Sequence, residues 1–80
     1  MKILKFFSPT CGPCKVLDKN LQASGLEYES IDITDDKNGE LIEKHTITSI
    51  PTLIGVDDEG NGILRYRGIV STEDILKYFK

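Results

Sequence analysis

Eighty residues with 39% hydrophobic and 29% charged side chains give ordinary globular composition and room for one compact core, which excludes most large folds and extended disorder. Ten basic residues against thirteen acidic ones leave a net charge of −3, without the clustered Lys/Arg stripe that a phosphate backbone requires, so nucleic acid is not an expected partner. No apolar run reaches the length of a membrane span, and Lys5 interrupts the opening apolar stretch before a signal-peptide core could form, so a cytoplasmic protein without membrane contact is expected.

Lys2 to Phe7 is a short apolar and aromatic run ended by Ser8-Pro9-Thr10, the pattern of a buried strand stopped by a turn. From Cys11 to about Ser24 the period becomes helical: Pro13 sits in the opening turn, Val16, Leu17 and Leu21 mark an apolar face, and Lys15, Asp18 and Lys19 are expected outside. Gly25 is placed to end that helix. Leu26 to Ile33 reads as a second strand with Ile31 and Ile33 on one face. The polar connection Thr34 to Gly39 then leads into a short helix that buries Leu41, Ile42 and His45. Thr52 to Val56, a Gly-rich turn over 57–62, and Ile63 to Arg67 predict a hairpin. Ser71-Thr72-Glu73-Asp74 resembles a capping box and opens a last helix carrying Ile75, Leu76 and Phe79.

The resulting order is βαβαββα in one domain spanning 1–80. A strand–helix–strand unit forces a parallel first pair with a right-handed crossover, and the hairpin forces an antiparallel last pair. An α/β fold is expected, with a mixed four-stranded sheet flanked by three helices.

Two cysteines in a cytosolic chain need a reason other than a structural disulfide. Cys11-Gly12-Pro13-Cys14 falls between a strand and a helix, which puts the first sulfur at the helix N-terminus, where free N–H groups and the helix dipole favour a thiolate. Cys11 is therefore the expected nucleophile, and Cys14, one turn inside, the resolving thiol; Pro13 stiffens the loop beside Gly12. A structural zinc site requires about four ligands, and beyond this pair only His45 and carboxylates remain, so no metal is expected. Acidic positions from Asp32 to Glu43 imitate a calcium loop, but Lys37 stands where glycine is required. His45 reads as a helix cap or core residue, and Arg65 and Arg67 as charges on an edge strand.

Cys-Gly-Pro-Cys followed by Lys15, then Ile50-Pro51-Thr52 opening a hairpin and Gly68 before the last helix, resembles the thioredoxin family over essentially the whole chain. The resemblance implies a minimal thioredoxin fold and a protein disulfide reductase that cycles between the Cys11/Cys14 dithiol and disulfide without a bound cofactor. It implies that Pro51 is a cis-proline packed on the disulfide, and that the Ile50 backbone pairs with an extended substrate. Gly68 and Ile69 would complete an apolar docking rim with Thr10, Gly12 and Pro13. Disulfide-containing proteins are the implied substrates, a thioredoxin reductase the implied electron source, and a monomer the expected state. Two other readings are a glutaredoxin-like enzyme recharged by glutathione and a thioredoxin-fold binding subunit with incidental redox chemistry. The first needs cationic groups around Cys11, where the loop supplies only Lys15.

Three departures from the family stand out. Thr10 replaces the tryptophan before the first cysteine, Phe7 stands where a second tryptophan is frequent, and Lys5 replaces the buried aspartate, whose lysine neighbour falls near Ser30. Strand alternation puts Ile3, Lys5 and Phe7 on one face, so Lys5 is expected either to reach water or pair with Glu29 or Asp32, or to lie beneath the active-site helix and tune the thiol pKa.

Overall fold

A computed structural model describes residues 1–80. Strand β1 (Lys2–Phe7) is followed by helix α1 (Gly12–Ser24), strand β2 (Glu29–Asp32), a 3-10 turn over Asp36–Asn38 and helix α2 (Gly39–Lys44). The hairpin of β3 (Thr52–Val56) and β4 (Gly62–Arg67) precedes helix α3 (Thr72–Phe79). The sheet runs β2-β1-β3-β4, with β1 and β2 parallel and the other two pairings antiparallel, so the expected mixed sheet and its connectivity are present.

β3 is buried along its whole length because it lies between β1 and β4 and is covered on both faces. Alternation along β1 and β3 separates two cores. Ile3 and Leu53 face α1 and α3 and pack with Leu17, Leu21, Ile75 and Phe79. Leu4, Phe6, Ile54 and Val56 face the other way, against Leu41, Ile42, Ile47 and Ile50. Gly55 permits close approach: a Cβ there would lie 3.3 Å from the Phe79 ring. The two helices on the first face are also tied by polar contacts, as Asn20 Nδ2 donates to the Val70 carbonyl at 3.0 Å and Thr72 Oγ1 donates to the Asn20 carbonyl at 3.3 Å.

β2 is shorter than the apolar run suggested. Leu26 and Tyr28 precede the strand and fold over the α1 side of the sheet, where both pack against the core. The Leu26 N–H is taken by Ser24 Oγ rather than by a strand ladder, which delays entry into the sheet. His45 is the buried C-cap residue of α2, its ring edge-to-face with Phe6, as the sequence suggested. Burial and the neighbouring Lys44 and Arg65 charges push its imidazole pKa down, favouring the neutral ring. Arg65 does more than guard the edge strand, since its guanidinium donates to the His45 carbonyl. The turn after β3 is organised by Asp57 Oδ1, which accepts from the Glu59 and Asn61 N–H groups at 2.9 Å each. Those backbone donors hold the carboxyl below its ordinary pKa, so this turn is explained without a cation.

Candidate active site

β1 ends at Phe7, the chain turns through Ser8-Pro9-Thr10, and α1 begins at once. The Cys11 N–H donates to the Ser8 carbonyl, closing the turn. Cys11 is the N-cap of α1: its backbone is extended, and its Sγ accepts from the Cys14 N–H at 3.1 Å. Thiolates gain from such a position because the first turn of a helix presents unpaired N–H groups and the positive end of the dipole. No acidic residue occupies the first turn to cancel that field, and Pro13 fits there because its missing N–H has no partner to lose. Cys11 and Cys14 are joined as a disulfide, with Cα atoms 5.3 Å apart. Cys11 is partly exposed and Cys14 is buried, a division suited to an attacking and a resolving sulfur.

Pro51 is buried at the start of β3, and the Ile50–Pro51 peptide bond is cis. Gly68 has φ of +82°, a conformation that glycine adopts without strain, and its N–H donates to the Pro51 carbonyl at 2.8 Å. That bond joins the two distant segments assigned to the docking rim. Ile69 is 52% exposed and Ile50 partly so, while Thr10, Gly12 and Pro13 are exposed around the disulfide. Apolar side chains left in water at such a position are available for contact.

Lys5 lies on the α1 side of the sheet and is 5% exposed. It neither reaches water nor pairs with Glu29 or Asp32: its Nζ donates to Asp18 Oδ1 at 2.8 Å, and Glu29 pairs with Lys2 instead. Strand register and a competing turn explain the correction, since Asp32 Oδ1 accepts instead from the Thr34 N–H at 2.9 Å and the Thr34 hydroxyl at 2.7 Å. Glu29 is the register partner of Leu4, whose side chain faces the opposite core, whereas α1 crosses directly over Lys5. Asp18, expected outside the helix, is thereby drawn inward. The same Oδ1 accepts from the Tyr28 hydroxyl at 2.6 Å, and Oδ2 accepts from Gln22 Nε2 at 2.9 Å. Hydrogen bonds from Lys5 and Tyr28 hold the Asp18 carboxyl below its ordinary pKa, while burial and the Asp18 contact push the Tyr28 phenol up. Ser30 is the register partner of Lys5, but it is exposed, and Tyr28 supplies the contact from that side.

Lys5, Asp18 and both cysteines border one cleft of about 400 Å³, which Lys15 and Lys19 also line. Asp18 and Tyr28 were not singled out by sequence reasoning. The available signal for Asp18 was its spacing, four residues beyond Cys14 and hence on the same helical face. No group of three or more His, Cys, Asp or Glu side chains forms a metal-binding cluster.

The thioredoxin family model matches residues 1–80. Among curated relatives, the SPbeta prophage-derived thioredoxin-like protein YosR of Bacillus subtilis is 26% identical over 91% of this chain and 89% of its own. The thioredoxin of Chlamydia pneumoniae is 34% identical over 89% of this chain and 72% of its own. A barley protein disulfide-isomerase is 28% identical over 98% of this chain, which spans only 17% of that longer protein. The solved structure of thioredoxin-2 from a malaria parasite superposes with a TM-score of 0.81 at 23% identity, covering 96% of this chain and 78% of its own.

Proposed function

The chain belongs to the thioredoxin family, and from that premise we propose that Cys11 is the attacking thiolate and Cys14 the resolving thiol of a protein-disulfide reductase. It is a thiol-disulfide oxidoreductase, and its redox centre is the Cys11–Cys14 pair. In the reduced protein, Cys11 Sγ attacks one sulfur of a substrate disulfide; that bond breaks, and the released substrate sulfur takes a proton. Cys14 then loses its proton and attacks Cys11 Sγ. The Cys11–Cys14 bond forms, the mixed disulfide breaks, and the second substrate sulfur leaves and is protonated. Two electrons have passed to the substrate, and no bound cofactor is needed.

The observation that carries this reading is the capping of α1 by Cys11 Sγ in a first turn free of carboxylates. The rim of Ile50, Pro51, Gly68 and Ile69, with Thr10, Gly12 and Pro13, is the surface on which an extended substrate would lie. Lys5, paired with Asp18, places a balanced charge beneath the thiols. A thioredoxin reductase, a flavoenzyme using NADPH, restores the dithiol, and the cytoplasm is the compartment in which such a dithiol is maintained. Recharging by glutathione has one point in its favour, since Lys19 joins Lys15 on the cleft beside Cys11 and supplies a second cation for the tripeptide's carboxylates.

Mixed-disulfide trapping tests the assignment. Cys14→Ser is expected to accumulate covalent adducts with disulfide-bearing proteins, and Cys11→Ser almost none; equal trapping by both refutes the roles. Disulfide reduction driven in parallel by thioredoxin reductase and by glutathione identifies the electron donor. Full partner function in a Cys11→Ser/Cys14→Ser protein would instead select a binding subunit.

A further inference from the structure

Asp18 lies four residues beyond Cys14 on α1, a spacing that puts their Cβ atoms about 6 Å apart on one helical face. Its Oδ1 is the meeting point of Lys5 Nζ from β1 and the Tyr28 hydroxyl from the segment before β2. We propose that Asp18 is a positioning residue of the redox reaction: it anchors the Lys5 ammonium beneath the Cys11–Cys14 pair and balances its charge, so that neither charge acting alone shifts how readily Cys14 gives up its proton for the resolving step. The inference rests on Cys14 being the resolving thiol and names the groups that control it.

The physical argument is one of sign. Lys5 is almost wholly removed from solvent, and the Phe7 ring lies 4.9 Å from its Nζ, so Asp18 is the carboxylate that answers its charge. An uncompensated cation there would favour the Cys14 thiolate, and an uncompensated carboxylate would disfavour it, each more strongly than in water because the site is partly dry. Together they nearly cancel at the sulfur. The other charged or titratable groups nearby are Lys15 and Lys19, which line the same cleft, Cys11 itself and the Tyr28 phenol, which stays protonated as a donor. Asp18 accepts hydrogen bonds from three side chains, so it is a weak base, and the proton of Cys14 leaves to solvent through the cleft.

Removing either member of the pair should therefore move Cys14 in opposite directions. Asp18→Asn keeps the shape and leaves the cation alone; Lys5→Met keeps the stem and leaves the carboxylate alone. In the reduced protein, the acid constant of Cys14 is expected to rise about tenfold in Asp18→Asn and fall about tenfold in Lys5→Met. Because nucleophilicity falls as acidity rises, with a Brønsted coefficient near 0.5, resolution of a preformed Cys11 mixed disulfide at pH 7 should be about threefold faster in the first and about threefold slower in the second. The double variant should return close to the parent in both measurements. Tyr28→Phe removes a neutral donor only and should shift Cys14 much less than Asp18→Asn. Thiolate titration, quenched-flow resolution and a thermal melt on the four variants and the parent decide it. Shifts of the same sign in the two single variants, or none in Asp18→Asn, overturn the proposal even where Cys14→Ser still traps substrate. Should Lys5→Met fail to fold, the contrast of Asp18→Asn with Tyr28→Phe carries the test alone. A failure of Cys14→Ser to trap is the separate result that would remove the premise.

Discussion

Helices α1 and α3 pack side by side on the same face of the sheet, and each begins at an extended N-cap residue whose side chain accepts from the N–H three residues on. In α1 the acceptor is Cys11 Sγ, 3.1 Å from the Cys14 nitrogen; in α3 it is Ser71 Oγ, 3.2 Å from that of Asp74. The geometry matches, and the charge does not. Glu73 and Asp74 answer the positive end of α3, whereas the first turn of α1 holds no acid and continues into Lys15. One helix end is neutralised for stability, and the other is left free to stabilise an anion at its cap. The lesson is that a helix end suited to an anion is made by withholding carboxylates as much as by supplying a cysteine.

The largest effect on this comparison is expected at the structural cap. Ser71→Ala leaves the Asp74 N–H without its partner and should cost about 1 kcal/mol in urea unfolding, while the alkylation rate of reduced Cys11 stays at the parent value. A changed Cys11 rate would mean that the two helix ends are coupled. Lys15→Glu tests the converse by giving α1 an acid in its opening turns. Dipole effects of about 0.3–1 kcal/mol predict a Cys11 pKa higher than in the parent and, because the more basic thiolate is also the better nucleophile, iodoacetamide alkylation at pH 7 slower by up to roughly twofold, with stability little changed.

The smallest effect appears in acid. α1 carries its carboxylate in the second turn, where Asp18 serves Lys5 and Tyr28 rather than the helix end. Its folded-state pKa is below the ordinary value of 3.8, so its contribution is fully present above that value and is lost as the pH falls through the lower folded one. Between about pH 4 and pH 2 the parent should therefore lose more unfolding free energy than Asp18→Asn, as read from urea midpoints at each pH. Equal slopes would show that the Lys5–Asp18 pair does not form in solution.

Order and type of all the principal elements were legible in the sequence because each rests on local signals. Alternation marked the strands, Pro13 and Gly25 bracketed α1, and Ser71 announced α3 three residues before the Asp74 N–H that it caps. The chemistry at Cys11 and Cys14 was equally local, since a pair of thiols at a helix start is defined within four residues. That Gly68 and Pro51 both lie beside the disulfide was implied by the family resemblance, but the hydrogen bond between them required the fold, because contact between residues 17 positions apart depends on how β3 and β4 pair. The fate of Lys5 required it too. Strand period placed it on the correct face, but a buried ammonium takes whatever carboxylate the packing delivers, and only the crossing of α1 over β1, with Tyr28 folded in from the side, selects Asp18 over Glu29 and Asp32.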